Sequence, residues 1–463
     1  MVVIHGGGSD IDQRFITRRG ILESEILMTV EYAIIKNIVI LYVVIYLIKM
    51  AYTNYKRRFN IFYGWYMVAA GTLLMATCFG ISYSFSVYFP ALQSDFSWNR
   101  AATSGVFSLY LVLVGFFSIL CGRAIDRYGP KPVVLIMGVV TGISLILTAQ
   151  VHALWQFYLS YSVLLAAGTG GMYIIVMSTA SRWFYRKRAT AMGILGTGAS
   201  LGPVVMAPVS AWLIETYQWR AAYMLTGILA WILIIPGALV LKKDPAEIGA
   251  GPDGDPYVPT ESSGEAKKIT AFSITGAIKS PSFSYLNFVW FWFSFCLYMI
   301  ITHIVPRAQD IGLDPMRAAG VMSILTAVSA VSRVAGGMAA DLVDKRKLLA
   351  ALITAMALSM VWLTSADQSW KIYLFAILFG MVFGGGDPSL IAVVTDVFGT
   401  AKIGTMMGIL MISWGLGSAA GPYMAGCVFD YTGSYGWAFI IAGGGLLLST
   451  FAILRLKITD GRF

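Results

Sequence analysis

The sequence predicts an all-α membrane protein with twelve transmembrane helices in two pseudo-symmetric six-helix bundles. Composition is the first reason. Of 463 residues, 58% are hydrophobic and only 12% charged, with a mean hydropathy of +0.74. Soluble domains carry roughly 25% charged residues, so this chain must have lipid as its main solvent. The second reason is that apolar runs of about 20 residues, the length that crosses a bilayer, fall as six, a polar stretch, and six more. The third is that small residues of the first half recur in the second at a nearly fixed offset. Together these observations exclude a disordered chain, a nucleic-acid-binding module and a secreted disulfide scaffold.

The first six spans run roughly over 63–90, 100–121, 131–150, 155–179, 189–214 and 220–241. The second six run over 283–305, 317–338, 348–366, 371–395, 403–428 and 435–456. Between them, Asp244-Pro245, Gly251-Pro252-Asp253-Gly254 and Glu261-Ser262-Ser263-Gly264 are linker chemistry. The expected domains are a bundle at 60–242, a linker at 243–281 and a second bundle at 282–463. An extension, 1–59, precedes them and holds a further apolar segment, 26–48, interrupted by Glu31 and Lys36. If that segment crossed from the linker side, it would put Lys56-Arg57-Arg58 on the wrong side and invert the core. It therefore enters from the other side, lies on the surface, or stands upstream of a true start near Met50.

The net charge of +10 is a matter of topology. From Lys56 onward, the linker side collects 22 Lys and Arg residues, and the opposite side collects five: Arg100, Arg220, Arg307, Arg317 and Lys371. By the positive-inside rule, the linker and both ends of the twelve-span core face the cytoplasm. No Asn-x-Ser/Thr acceptor occurs, which fits a cell inner membrane. Cys78, Cys121, Cys296 and Cys427 stand far apart in apolar runs and read as buried thiols, with no metal site, cofactor or disulfide framework.

Gly122-Arg-Ala-Ile-Asp126 recurs 215 residues later as Gly337-Met-Ala-Ala-Asp341. Gly170-Gly171 recurs as Gly385-Gly386, and Met192-Gly193-Ile194-Leu195 as Met407-Gly408-Ile409-Leu410, at the same offset. Gly198, Gly202 and Pro203 match Gly417, Gly421 and Pro422 at 219. Glycines at repeated positions mark helices that approach closely. Paired bundles with a site at the midplane between them are the architecture of alternating access.

The stretch Gly122 to Lys131 (GRAIDRYGPK) resembles the signature between spans 2 and 3 of the major facilitator superfamily, and Gly198 to Pro203 its span-5 glycine–proline motif. Within that superfamily, four further stretches are similar to the monocarboxylate porters and oxalate/formate antiporters. They are Tyr63-Gly64-Trp65, Phe96-Ser-Trp-Asn-Arg100, Arg182-Trp183-Phe184 and His303-Ile-Val-Pro306. The resemblance covers about residues 60–456. It implies the major facilitator fold and a transporter that rocks its halves about a central carboxylate site. It also implies gating roles for Gly122, Arg123, Asp126, Arg127, Lys131, Gly337 and Asp341. Asp126 and Asp341 are expected to pair with neighbouring bases such as Arg127 and Lys345, or else to cap helices facing water.

Arg333 stands eight residues before Asp341, about 12 Å along its helix, in a core about 30 Å thick. An arginine there should face a wet cavity, and its planar fork suits a carboxylate; the alternative is a helix-end residue snorkelling to water. The resembled porters also carry a span-8 arginine four residues before the motif glycine, as Arg333 precedes Gly337. Asp387 lies nine residues before Asp396, at similar depth. It reads either as a proton-coupling partner of Arg333 or as the N-cap of a helix broken at Gly384-Gly-Gly-Asp-Pro388. His303, whose ordinary pKa suits proton transfer, is a second coupling candidate or a structural residue. Tyr173, Asn287, Tyr88 and Tyr298 are candidates to complete the substrate pocket, or else packing residues. Span 11 lacks the lysine that the resembled oxalate carriers place there, and span 1 lacks that of the animal lactate carriers, offering Tyr83, Ser84, Ser86 and Tyr88 instead; a single buried positive charge favours a monocarboxylate over a dicarboxylate.

The expected function is proton-coupled symport of a small monocarboxylate resembling lactate or pyruvate, by a single chain in a lipid bilayer. The alternative is exchange of organic anions of the oxalate/formate kind, which needs no titrating group. A membrane enzyme would need a polar catalytic constellation at one depth, and the sequence offers none.

Overall fold

The computed structural model describes residues 62–256, 276, 278–398 and 403–456. The expected extension and its segment 26–48 lie outside them, as do the side chains of Gly337 and Asp341. Among the described residues, ten helical segments are long and apolar enough to cross a membrane, and one of these, Thr190–Val240, is two spans in one. Gln218, with φ 66° and ψ 162°, turns the chain back in its middle. Ile403–Thr432 brings the number of helices to twelve. The protein is thus a multi-pass membrane protein.

The first half comprises α1 (Tyr63–Phe96), α2 (Arg100–Tyr128), α3 (Pro130–Thr148), α4 (Leu154–Trp183), α5 (188–217) and α6 (219–240). The second comprises α7 (Pro281–Asp310), α8 (Pro315–Leu342), α9 (Lys345–Thr364), α10 (Ser369–Phe398), α11 (Ile403–Thr432) and α12 (Gly436–Leu454). Several helices start where the sequence provides the chemistry for it. Asn99, Ser280, Asp314 and Asp344 each accept a backbone N–H of the first turn from their side chains. Pro130, Pro281 and Pro315 occupy the first turn, where a missing N–H costs nothing. α4 is irregular: it widens into a π-helical stretch at Tyr158–Leu165 and is interrupted at Gly170-Gly171.

The repeated glycines are contact points. Side chains at Gly198 and Gly202 would run into the carbonyls of Thr72 and Ala76 on α1, and at Gly417 and Gly421 into those of Phe291 and Phe295 on α7. Gly170 closes on Val114 of α2, and Gly384 on Ser329 of α8; Val114 and Ser329 are themselves 215 residues apart. The internal repeat is therefore a repeat of helix–helix packing, α1–α5 against α7–α11 and α2–α4 against α8–α10.

The halves meet along α2–α11 and α5–α8, chiefly on the side away from the linker. There Gly426 packs on Ser104 and on the backbone of Arg100 and Ala101. Ser323 donates to the Val204 carbonyl at 3.0 Å. On the linker side, every ion pair among the described residues stays within one half or joins the first half to the start of the linker.

Two expectations are corrected here. α10 runs unbroken from Ser369 to Phe398, with the glycines and Pro388 inside it, so Asp387 does not cap a helix. The glycines serve the close approach to α8, and a single missing N–H at Pro388 is tolerated within a span held by its neighbours. The partner expected for Asp126 also differs, whereas the side chain of Asp341 lies outside the described ones. Asp126 pairs with Arg182 of α4 at 3.0 Å, not with Arg127, and its carbonyl accepts the Lys243 ammonium at 2.8 Å. Lys345 takes Asp396, at the end of α10, at 2.8 Å. In each half, the base and the acid come from helix ends that packing brings together, which adjacency in sequence does not reveal.

Candidate functional site

Arg333 and Asp387 face each other because α8 and α10 are pressed together by Gly380 and Gly384. Nη1 of Arg333 donates to Oδ2 of Asp387 at 2.5 Å, and both side chains are about a quarter exposed (27% and 26%). They are neither sealed in nor facing bulk water, as expected of charges lining a cavity inside a membrane. The guanidinium also lies 5.6 Å from the ring centroid of Phe383, one turn before Asp387. Its Nε is buried and has no acceptor among the described residues. Nε of Arg307 and of Arg346 is likewise unmatched, but those residues stand near helix ends. A guanidinium has five N–H donors in a planar fork, so the single contact with Asp387 leaves most of that fork for another acceptor.

Three tyrosines lie within electrostatic reach of the pair. Tyr83 of α1 and Tyr173 of α4 feel the charge of both Arg333 and Asp387, and Tyr298 of α7 that of Asp387. The rings of Tyr83 and Tyr298 meet edge-on across the two halves, with centroids 6.4 Å apart. Tyr298 also packs edge-on against Trp414 of α11. Tyr83, Tyr173 and Tyr298 all line a cavity of about 100 Å³ that is walled mainly by the first half.

Of the sequence candidates, the structure thus brings together Arg333, Asp387, Tyr173 and Tyr298. The others lie elsewhere. Tyr88 is 2% exposed inside the first half; its ring stacks on Tyr223 at 3.8 Å and its hydroxyl pairs with Thr226 at 3.1 Å, apart from the cavity that Tyr173 and Tyr298 line. Asn287 ties α7 to α11: its oxygen accepts from Ser413 at 2.6 Å, while its amide donates to the Phe283 carbonyl of its own helix at 2.9 Å. Gly122 has open space around its Cα, and Arg123, Asp126, Arg127 and Lys131 are exposed at the linker side.

His303 belongs to a different constellation, at the far side where the halves touch. Arg100 of α2 holds Asp310 of α7 with both terminal nitrogens, at 2.8 and 2.6 Å, and donates to the Tyr435 hydroxyl. Its guanidinium lies 3.6 Å from the centroid of Phe429, and the backbone N–H groups of Arg100 and Ala101 donate to Asp430. His303 contacts Tyr435 through Nδ1 at 3.0 Å and the Pro422 carbonyl through Nε2 at 2.9 Å. A carbonyl only accepts, so Nε2 carries the proton. Nδ1 then accepts from Tyr435, whose oxygen accepts from Arg100. The chain of donors runs one way, from Arg100 through Tyr435 and His303 to Pro422, and it satisfies a neutral imidazole completely.

Sequence reasoning left Phe383 off the site, named Tyr83 only among the hydroxyls of span 1, and gave Arg100 no partner. Phe383 had a signal, four residues before Asp387 on one helical face. Arg100 and Asp310 are 210 residues apart, and nothing local connects them.

Comparison with known proteins adds the family. The model of the Major Facilitator Superfamily matches residues 68–340 and 309–461. Monocarboxylate transporter 13 of Rattus norvegicus is 27% identical over 398 residues, covering 85% of this chain and 89% of the relative. Monocarboxylate transporter 11 of Mus musculus is 25% identical over 407 residues, covering 85% and 87%. Among solved structures, a D-xylose–proton symporter superposes with a TM-score of 0.71 at 12% identity, over 87% of this chain and 99% of that one. An inward-facing bacterial homologue of the human lysosomal transporter Spinster superposes with 0.63 at 16% identity, over 86% and 96%. With a model matched across both six-helix halves, this chain belongs to the Major Facilitator Superfamily, as a transporter similar to the monocarboxylate porters.

Proposed function

We propose that the protein is a secondary active transporter that carries a small monocarboxylate together with a proton by alternating access, with Arg333 as the carboxylate anchor and Asp387 as the proton-coupling group. The observation that carries this reading is one guanidinium, only partly engaged, beside one carboxylate in the middle of a membrane-spanning bundle. The relatives are named as monocarboxylate transporters, which supports a carboxylate as cargo. Substrate carboxylate and Asp387 compete for the same fork. Protonation of Asp387 releases Arg333, the substrate replaces it, and the site stays near neutral while the halves rock. When substrate leaves, Arg333 returns to Asp387 and the proton is lost.

The bias of basic residues supports a cytoplasmic linker side. With the halves clamped at the far side, the conformation then reads as inward-open, with Arg100 closing the outer gate. His303 is part of that gate, and the coupling role falls to Asp387 alone. A single chain holds all the groups this scheme requires.

The test is uptake of radiolabelled lactate into proteoliposomes, with and without an inward proton gradient, comparing the natural chain with Arg333→Ala. Gradient-driven uptake that the variant loses is the expected result. Uptake that ignores the gradient and requires an internal anion would make the protein an exchanger of the oxalate/formate kind. Absence of uptake for every short acid would overturn the substrate class.

A further inference from the structure

The cavity lined by Tyr83, Tyr173 and Tyr298 has a chemistry that does not suit a two-carbon body. Six of its twelve lining residues are aromatic: Phe79, Tyr83, Phe107, Tyr110, Tyr173 and Tyr298. The polar part of the wall is a chain of three hydroxyls. Ser82 meets Tyr110 at 2.6 Å, and Tyr110 meets Thr169 at 2.9 Å. Ser82 and Thr169 also donate to carbonyls of their own helices, those of Cys78 and Leu165. Tyr110 can then donate to only one of the two, so this polar stretch is already bonded to itself and makes little demand for a polar ligand. Tyr83, Tyr173 and Tyr298 belong to this wall and lie within electrostatic reach of the Arg333–Asp387 pair. A substrate held at Arg333 that extends toward these tyrosines therefore meets aromatic faces.

The cavity holds about 100 Å³, and a closed apolar cavity of about 150 Å³ takes up a benzene ring. This one is partly open, so a ring can enter and protrude. A methyl or hydroxymethyl group would leave most of the lining against water.

We propose that this pocket selects monocarboxylates with a flat or branched apolar body, arylalkyl acids above all, over acids of lactate size. The proposal rests on the reading of Arg333 as the carboxylate anchor and specifies the rest of the substrate. Apolar burial strengthens binding by roughly fourfold for each methylene-sized group, so a buried phenyl ring should gain well over tenfold.

The experiment measures inhibition of lactate uptake in proteoliposomes by acetate, propionate, 4-methylpentanoate and 3-phenylpropionate, with binding of 3-phenylpropionate to the purified chain followed by calorimetry. The expected order is 3-phenylpropionate strongest, then 4-methylpentanoate, at least tenfold more potent than propionate. Val114→Phe, which fills the pocket from α2, should collapse the ratio of the 3-phenylpropionate and propionate inhibition constants toward one. Lactate uptake with equal potency for all four acids would overturn the pocket while leaving the carboxylate carrier standing. Calorimetric binding of 3-phenylpropionate that Arg333→Ala abolishes would support the pocket even if lactate is not carried. Binding that persists in Arg333→Ala would overturn the inference, because the pocket would then act without its anchor.

Discussion

Arg100 sits at the seam between the two halves and Arg333 inside one of them, and each holds an aspartate on a facing helix. Their surroundings are opposite. Arg100 grips Asp310 with two nitrogens, reaches Tyr435 with one of them and covers Phe429. Arg333 touches Asp387 with one nitrogen and has a buried Nε without an acceptor. The Arg100 cluster crosses between the halves, so it stabilises one conformation over another. The Arg333 pair lies wholly in the second half and leaves the halves free to move. A guanidinium gripped by several partners acts as structure, and one held by a single contact is available to a ligand.

The sharpest way to break this contrast is to remove the partly satisfied arginine. Arg333→Ala should lower the initial rate of carboxylate uptake by at least about 100-fold, because charge-assisted hydrogen bonds contribute roughly 1.5–3 kcal/mol each and the fork makes two. Arg333→Lys keeps the charge but loses the fork and should recover only a small part of the rate. Full activity of the lysine variant in proteoliposomes would show that charge alone suffices.

Asp387→Asn comes second. It removes the competitor for Arg333 while keeping its shape. Exchange of internal for external carboxylate should persist, and net accumulation driven by a proton gradient should disappear. Accumulation that survives in Asp387→Asn would move coupling to another group.

Arg100→Ala should act on the conformational equilibrium rather than on binding. Its side chain is 12% exposed and that of Asp310 27%, so the loss lies between surface and buried ion pairs, about 1–2 kcal/mol. That corresponds to roughly a 5- to 30-fold shift in the balance between states. Ser104, fully buried against Gly426 of the other half, reports it. A cysteine placed there, in a chain whose four native cysteines are serine, should react several-fold faster with an impermeant maleimide from the far side when Arg100 is alanine. An unchanged rate would mean that apolar packing alone keeps that side closed.

The contrast also explains what could be read from the sequence. The twelve helices and their repeat were legible because lipid imposes long apolar runs and close helix contacts impose glycine. Arg333 and Asp387 were legible because charge inside a span is rare enough to need a reason. The break expected at Gly384 to Pro388 was wrong because the glycines answer to α8, a neighbour that local sequence does not show. Tyr88 and Asn287 looked like pocket residues because a hydroxyl and an amide within a span suit a ligand and a helix neighbour equally well. The far-side cluster was invisible, since its members come from α2, α7, α11 and α12 and only the folded seam assembles them.

The smallest expected effect concerns the start of the linker, where ionic contacts again act as structure. Asp253 accepts the backbone N–H groups of Tyr185, Arg186 and Lys187, at 2.9, 2.7 and 3.4 Å, and Arg186 also pairs with Asp255. Burial works against the Asp253 charge, yet these donors and the Arg186 guanidinium hold its carboxyl below the ordinary carboxylate range. A depressed value in the docked state means that docking is favoured by the ionised form. The contribution is complete above the ordinary carboxylate pKa of about 4 and is lost as pH falls through the docked value. Limited proteolysis of the linker should therefore be slow and flat from neutral pH down to about 5, then accelerate at lower pH. Asp253→Asn should be cut faster at neutral pH and lose the acid step, whereas transport through Arg333 should hardly change. A variant with the same acid step as the natural chain would assign that step to another carboxylate, and the loop–linker contact would then be incidental to docking.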